Sequence, residues 1–200
     1  MAAYMKTDMP FYGVTKPDRV VVFAEMQRRF AVASRQDYRD AVAELWGQPH
    51  REEKYLAIAL ARAHPEYQTV SSVGLYRRLI VEGGWWDLVD EVAVQLVGAV
   101  WLRDRERTTP VMRRWIDDAH LWLRRSAVIG QLRHKAATDE ALLFEFCLSR
   151  AHETEFFIRK AIGWALREYA KTSPESVRAF VDAHQKAWSG LTYREATKHL

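Results

Sequence analysis

The sequence has little of what builds disulfide-linked domains, membrane anchors or β-sheets. Its 200 residues include a single cysteine, Cys147, so no disulfide can form within the chain. No apolar run approaches the length of a membrane span, and the N-terminus lacks the charged and apolar segments of a secretory signal, so we expect a cytoplasmic protein. No stretch alternates apolar and polar residues long enough to predict a strand.

Motifs of common enzyme classes are also missing. The chain has no GxGxxG or P-loop for nucleotides, no GxSxG for a serine nucleophile and no HExxH for zinc. His120 and His152 have acidic neighbours but not the spacing of metal ligands, and we interpret both as structural. We therefore expect neither a metal nor a cofactor.

What the sequence does have is helical periodicity and an uneven distribution of charge. Apolar residues recur at helical spacing, and most of the six prolines and nine glycines fall at segment boundaries, which predicts about twelve short helices. The net charge of +4 divides into −1 over residues 1–100 (12 basic, 13 acidic) and +5 over residues 101–200 (18 basic, 13 acidic). The second half is therefore expected to face an anionic partner, with nucleic acid the first candidate.

Residues 83–92 contain an unusual pair. On a helix, Trp86 and Asp90 lie one turn apart on the same face, where a core stripe would place an aliphatic residue second. One interpretation is a functional surface. The other is that Trp85 and Trp86 fill the core while Asp90 is an exposed or capping acid.

A repeat of 35 residues relates this stretch to the rest of the chain. Residues 86–93 align with residues 121–128 and 156–163, and in the other direction with residues 51–58. Helix pairs repeating at this period predict an all-α, HEAT-like α-solenoid, in which stacked antiparallel pairs form a concave basic groove within one domain over residues 1–200.

One position of this repeat is polar where a core position would be apolar. It is occupied by Tyr55, Asp90, Arg125 and Lys160, which we call the column. Trp86 precedes Asp90 by one turn, and Trp164 follows Lys160 by one turn. Cations neutralise phosphates and indoles pack on sugars or bases, whereas a carboxylate repels DNA. The presence of Asp90 in the column therefore favours a catalytic function over DNA binding alone.

The sequence resembles the AlkD-type alkylpurine DNA glycosylases, the HEAT-like-repeat DNA alkylation repair family. The resemblance covers essentially the whole chain and is strongest in residues 85–90, 121–127 and 156–171.

The resemblance implies a role for individual residues. Asp90 would be the catalytic acid, Trp86 and Trp164 would flank the deoxyribose of the lesion, and Arg125 would hold a nearby phosphate. Further DNA contacts are expected at Lys160, Tyr4, Arg124, Arg159 and Thr15. Two departures from the family are expected: Thr15 stands where some members carry glutamine, and a helix that usually precedes the Tyr4 region is expected to be missing.

The expected function is hydrolysis of the N-glycosidic bond of N3-alkyladenine and N7-alkylguanine in double-stranded DNA, by a monomer associated with the nucleoid. The resemblance implies that the base is not flipped, and we expect no lyase step, although the Lys160 amine could in principle form a Schiff base. The alternative is a non-catalytic DNA-binding relative or a protein scaffold.

Overall fold

The computed structural model describes Met5 and residues 7–200, and every regular element in this part of the chain is helical. The α-helices are α1 (Lys16–Arg29), α2 (Arg35–Gly47), α3 (Arg51–Ala63), α4 (Val73–Gly83), α5 (Trp86–Glu91), α6 (Gly98–Arg103), α7 (Arg105–Ile116), α8 (Leu121–Ile129), α9 (Glu140–Ser149), α10 (Phe156–Ala170), α11 (Pro174–Ala183) and α12 (Gly190–Ala196). A π-helical segment, Val92–Val97, joins α5 to α6, and 3₁₀ turns lie at Pro65–Tyr67, Val70–Ser72, Lys135–Ala137 and Gln185–Ala187. The predicted all-α class is confirmed. No helix in the described residues is long and apolar enough to cross a membrane.

The chain divides into two compact units, one ending at Leu75 and one from Tyr76 to Leu200, with the boundary inside α4. The prediction of a single domain over residues 1–200 stays a prediction beside this division.

The first unit is built on the packing of α2 against α3. Tyr38, Val42 and Trp46 recur every four residues and form a buried stripe along α2. At the start of α3, the carboxylate of Glu52 accepts hydrogen bonds from three successive backbone N–H groups, those of residues 12–14. This contact attaches the segment before α1 to α3.

The second unit is a row of helices that follows the predicted repeat. The α5 helix and the π segment pack on α8, α8 packs on α10, and α10 packs on α12. Leu88, Leu123 and Ile158 occupy equivalent positions at intervals of 35 residues, and all three are fully buried. The core thus repeats with the same period as the column, as expected where each repeat buries its apolar face on its neighbours.

One helix boundary differs from the prediction. Thr109-Pro110 is typical of a helix start, and the sequence predicts a helix from there, after a loop carrying Arg103, Arg105 and Arg107. In the structure Arg103 is the last residue of α6, α7 already begins at Arg105, and Pro110 lies inside it. The reason is Asp104, whose carboxylate accepts the backbone N–H of Arg107 at 3.1 Å and caps the helix. That cap starts α7 early enough for the proline to fall in its second turn.

Close packing of α10 on α12 depends on Gly163. A β-carbon at this position would lie 2.4 Å from Cβ of Glu195 and 2.9 Å from the carbonyl oxygen of Thr192. The missing side chain of Gly163 therefore lets the two helices approach.

We expect Gly163→Ala to lower the free energy of unfolding by about 1–3 kcal/mol, because the added methyl forces the two helices apart. Gly74→Ala is the matched control, since a β-carbon there meets nothing within 4 Å; it should be neutral or stabilising by up to about 1 kcal/mol. Urea unfolding measures both. Equal stability of Gly163→Ala and the wild type would contradict the packing described for α10 and α12.

Candidate active site

The column exists in the second unit as a series of ion pairs between neighbouring helices. Asp90 of α5 pairs with Arg125 of α8, and Lys160 of α10 pairs with Glu195 of α12, each across 35 residues and at 2.7 Å. The predicted register is confirmed at these positions. Glu195 is an additional member that the sequence reading missed, although adding 35 to 160 would have found it.

Asp90 and Arg125 form a two-pronged, largely buried pair. Nε and Nη2 of Arg125 donate to the two carboxylate oxygens of Asp90, each at 2.7 Å, and Nη1 donates to the carbonyl oxygen of Phe157 at 2.6 Å. The side chains are 5% exposed for Arg125 and 13% for Asp90. Paired donors of this kind fix the plane of a carboxylate as well as its position. Arg125, predicted to hold a phosphate, here holds Asp90.

Burial and Arg125 act on the Asp90 carboxyl in opposite directions. Loss of water around the carboxylate raises the pKa of Asp90 above its ordinary value of 3.8, and the nearby charges of Asp87 and Glu91 raise it slightly further. The hydrogen bonds and charge of Arg125 lower it, but they offset only part of the burial effect. Burial therefore sets the direction in which the pKa of Asp90 is shifted.

The two neighbouring indoles in the 83–92 stretch have different surroundings. Trp85 packs edge-on against Trp122 and Phe157, with ring centroids 6.2 and 5.4 Å away, as the core interpretation predicts. Trp86 is half-buried, and so is Trp164. Among the described residues neither ring has an aromatic partner or a hydrogen bond, and no such contact joins either to Asp90. Trp86 and Trp164 therefore keep ring surface that protein contacts leave free.

The two arginines at equivalent repeat positions, Arg124 and Arg159, are used differently. Arg124 donates to both carboxylate oxygens of Glu153, at 2.9 and 3.0 Å, and to the carbonyl oxygens of Asp118 and Ala119. Arg159 is half-buried, and its Nε is enclosed without a hydrogen-bond partner in the described residues. Of the two predicted DNA contacts, Arg159 is the one whose guanidinium has no hydrogen-bond or ion-pair partner among the described residues.

Lys160 and Glu195 change the charge expected for the column. The predicted members of this unit, Asp90, Arg125 and Lys160, carry a net charge of +1, and Glu195 brings the column to zero. Glu195 also accepts a hydrogen bond from Arg167, one further cation on α10. The hydrogen bond from Lys160 is the main reason that the pKa of Glu195 is lowered below its ordinary value, so this carboxylate is ionised at neutral pH.

Two other predicted DNA contacts lie in the N-terminal part of the chain. Tyr4 lies outside the described residues. Thr15 is exposed just before α1, and its hydroxyl donates to Oδ2 of Asp18 at 2.6 Å. That bond gives Thr15 a local role at the start of the helix.

Comparisons with known proteins agree with this architecture. The family model described as DNA alkylation repair enzyme matches residues 1–200. A predicted DNA alkylation repair enzyme from Enterococcus faecalis superposes with a TM-score of 0.91 at 28% identity, covering 100% of this chain and 92% of that one. No curated protein matches the chain in sequence.

Two solved structures from Streptococcus mutans share the fold at lower identity. AlkD2 has a TM-score of 0.67 at 14% identity and covers 100% of this chain and 97% of its own. The smu.31 protein of strain UA159 has a TM-score of 0.67 at 15% identity, with coverages of 91% and 94%. With the family match extending from the first residue to the last, the chain belongs to the DNA alkylation repair enzyme family.

Proposed function

We propose that the protein is a monofunctional DNA glycosylase that hydrolyses the N-glycosidic bond of N3-alkyladenine and N7-alkylguanine in duplex DNA. The observation that carries the proposal is the carboxylate of Asp90, held by two hydrogen bonds from Arg125 on the helix face that Trp86 shares. The family match supports a role in DNA alkylation repair. The resemblance to AlkD-type glycosylases supports the choice of substrate and reaction.

The departure of an alkylated purine needs little acid catalysis from the protein. A purine alkylated at N3 or N7 is cationic, so when the bond between C1′ and the base nitrogen breaks, the base takes the bonding electrons and leaves neutral. Positive charge develops on the deoxyribose, and an ionised carboxylate stabilises it. Water then adds to C1′ and gives up a proton. Asp90 is assigned both the stabilising charge and the orientation of that water.

The two indoles extend the same electrostatic effect. The face of an aromatic ring attracts a nearby cation, by about 0.5–2 kcal/mol per ring. Trp86 and Trp164 are proposed to flank the sugar, which is consistent with their half-buried rings and lack of aromatic partners in the described residues. Because the two indoles would contact the sugar and not the base, the enzyme would act without flipping the nucleotide.

The contacts of Lys160 support hydrolysis without a lyase step. A lyase needs a neutral lysine amine to attack C1′ and form a Schiff base. Nζ of Lys160 instead donates a hydrogen bond to Oε1 of Glu195 at 2.7 Å, so this nitrogen is already engaged by a carboxylate. Lys160 is therefore proposed as a phosphate contact, together with Arg159.

The direct test of the reaction is release of 7-methylguanine from alkylated duplex DNA. We expect the wild type to release it and Asp90→Asn to be slower by about 10²-fold or more, the size of effect seen when one stabilising group is removed from a transition state. Glu91→Gln, at the next and exposed carboxylate, is the control and should keep its activity. If the wild type releases the base no faster than the spontaneous reaction, the enzyme proposal is wrong and a non-catalytic DNA-binding protein is the remaining function. If Asp90→Asn and the wild type have equal rates, only the catalytic role of Asp90 is wrong.

The pH dependence follows from the charge state of Asp90. The reaction needs the carboxylate, and burial raises the pKa of Asp90 above 3.8, so activity should fall on acidification at a higher pH than an exposed aspartate would give. A carboxyl NMR titration should place the pKa of Asp90 above 3.8 and that of Glu195 below 4.5. A titration of Asp90 below 3.8 would contradict the dominance of burial.

The phosphate contacts are tested by comparing Arg159 with Arg124. Each phosphate contact contributes about 0.9 to the slope of log affinity against log salt concentration. We expect Arg159→Gln to weaken duplex binding and to reduce this slope by about that amount. Arg124→Gln should instead lower the melting temperature with little change in slope, because its donors hold Glu153 and two carbonyls. If Arg124→Gln reduces the salt slope and Arg159→Gln lowers the melting temperature, the phosphate contact belongs to Arg124 and the structural role to Arg159.

A further inference from the structure

Glu195 lies between two cations of the neighbouring helix. Its Oε1 accepts from Nζ of Lys160 at 2.7 Å, and its Oε2 accepts from Nη1 of Arg167. Lys160 and Arg167 are seven residues apart, two turns along the same face of α10. One carboxylate therefore bonds two cations of α10 and cancels one of their two unit charges.

The site remains open on the side of Lys160, whose side chain is 39% exposed while that of Glu195 is 20% exposed. Carboxylate and phosphate oxygens accept charge-assisted hydrogen bonds from the same donors. A phosphate approaching Lys160 would thus meet a donor already bonded to a protein carboxylate, and would be repelled by that carboxylate.

Attachment of α12 does not depend on these ion pairs alone. The hydroxyl of Thr192 donates to the carbonyl oxygen of Arg159 at 3.3 Å, and Thr192 and Ala196 are buried against the neighbouring helix. Ser189 caps the start of α12 through the N–H of Thr192. Packing and uncharged hydrogen bonds thus also hold the helix, so we expect α12 to stay in place when the charge of Glu195 is removed.

We propose that Glu195 is an internal carboxylate that competes with DNA phosphates for Lys160 and Arg167, and so limits the affinity of the protein for undamaged duplex DNA. The inference rests on the proposed DNA-binding function. It assigns to Glu195 a part in specificity: weak binding to ordinary backbone lets the contacts at the lesion decide where the protein stays. Binding of a phosphate at Lys160 requires the Lys160–Glu195 bond to open.

The test is the affinity of Glu195→Gln for an undamaged duplex, measured by fluorescence anisotropy at salt concentrations of about 50 to 200 mM. Glutamine keeps the size and one acceptor but removes the charge. Competition predicts affinity several-fold above wild type and a salt slope steeper by about 0.9 for each cation released to a phosphate. Glu168→Gln is the matched control: it removes one charge from a carboxylate of α10 that pairs with Lys171 at 2.6 Å.

A double-mutant cycle with Lys160→Gln separates competition from a general charge effect. In the wild-type background, Lys160→Gln should cost little affinity, because Glu195 already engages the lysine. In the Glu195→Gln background it should cost affinity and reduce the salt slope, because the lysine is then free to bind a phosphate. Melting temperatures of all variants verify that α12 stays in place.

Three results would overturn the inference. Glu195→Gln could match Glu168→Gln in affinity and slope, it could bind more weakly than the wild type, or Lys160→Gln could have the same effect in both backgrounds. Each would make Glu195 a residue that orients Lys160 or secures α12. Absence of salt-dependent duplex binding by the wild type and all variants would be a different failure, that of the proposed function itself.

Discussion

The ion pair between Asp90 and Arg125 is the interaction on which both the architecture and the proposed chemistry depend. It joins α5 to α8, and the third hydrogen bond of Arg125, to the carbonyl oxygen of Phe157, continues the connection to α10. The helices α5, α8 and α10, which carry equivalent positions of three successive repeats, thus meet at one guanidinium. Because both side chains are nearly buried, losing one partner would leave an uncompensated charge, which typically costs about 3–5 kcal/mol.

The same pair resolves a conflict between placing a carboxylate and keeping it charged. An aspartate half-enclosed among apolar helices tends to take up a proton, and an aspartate free in solvent has no fixed orientation. Arg125 offsets part of the burial effect and holds both oxygens in one plane. The cost is that some of the negative field of Asp90 is neutralised. Under the proposed function the indoles of Trp86 and Trp164 compensate for this loss, since they add attraction for a cation without adding charge.

The repeat was readable from the sequence because local and long-range patterns agree. The period of 35 residues predicted that Asp90 and Arg125 occupy equivalent positions on neighbouring helices, and the structure brings the two side chains into direct contact. The sequence did not predict that side chains at equivalent positions bond to each other, because it suggested that each would contact DNA by itself. The direction and burial of these side chains depend on how closely the helices approach. Arg124 and Arg159 illustrate this limit: they are the same residue at the same register, yet only Arg124 finds a carboxylate.

Other differences have similar causes. The fifth column position, Glu195, was missed because α12 is short and its sequence does not resemble that of the earlier repeats. Pro110 was interpreted as a helix start, but the stronger local signal was the cap at Asp104. The π-helical segment after α5 has no signature in residues 92–97, which are apolar apart from Gln95. All of these residues except Gln95 are buried, which is also the pattern of a buried α-helix.

The most direct measurement of the central claim is a double-mutant cycle on single-turnover release of 7-methylguanine, using Asp90→Asn, Arg125→Gln and the double variant. If Arg125 acts by orienting the carboxylate of Asp90, its loss should slow the wild type strongly and slow Asp90→Asn little further. If instead the two rate losses multiply in the double variant, Arg125 acts on the DNA independently, and the account of a positioned carboxylate is wrong.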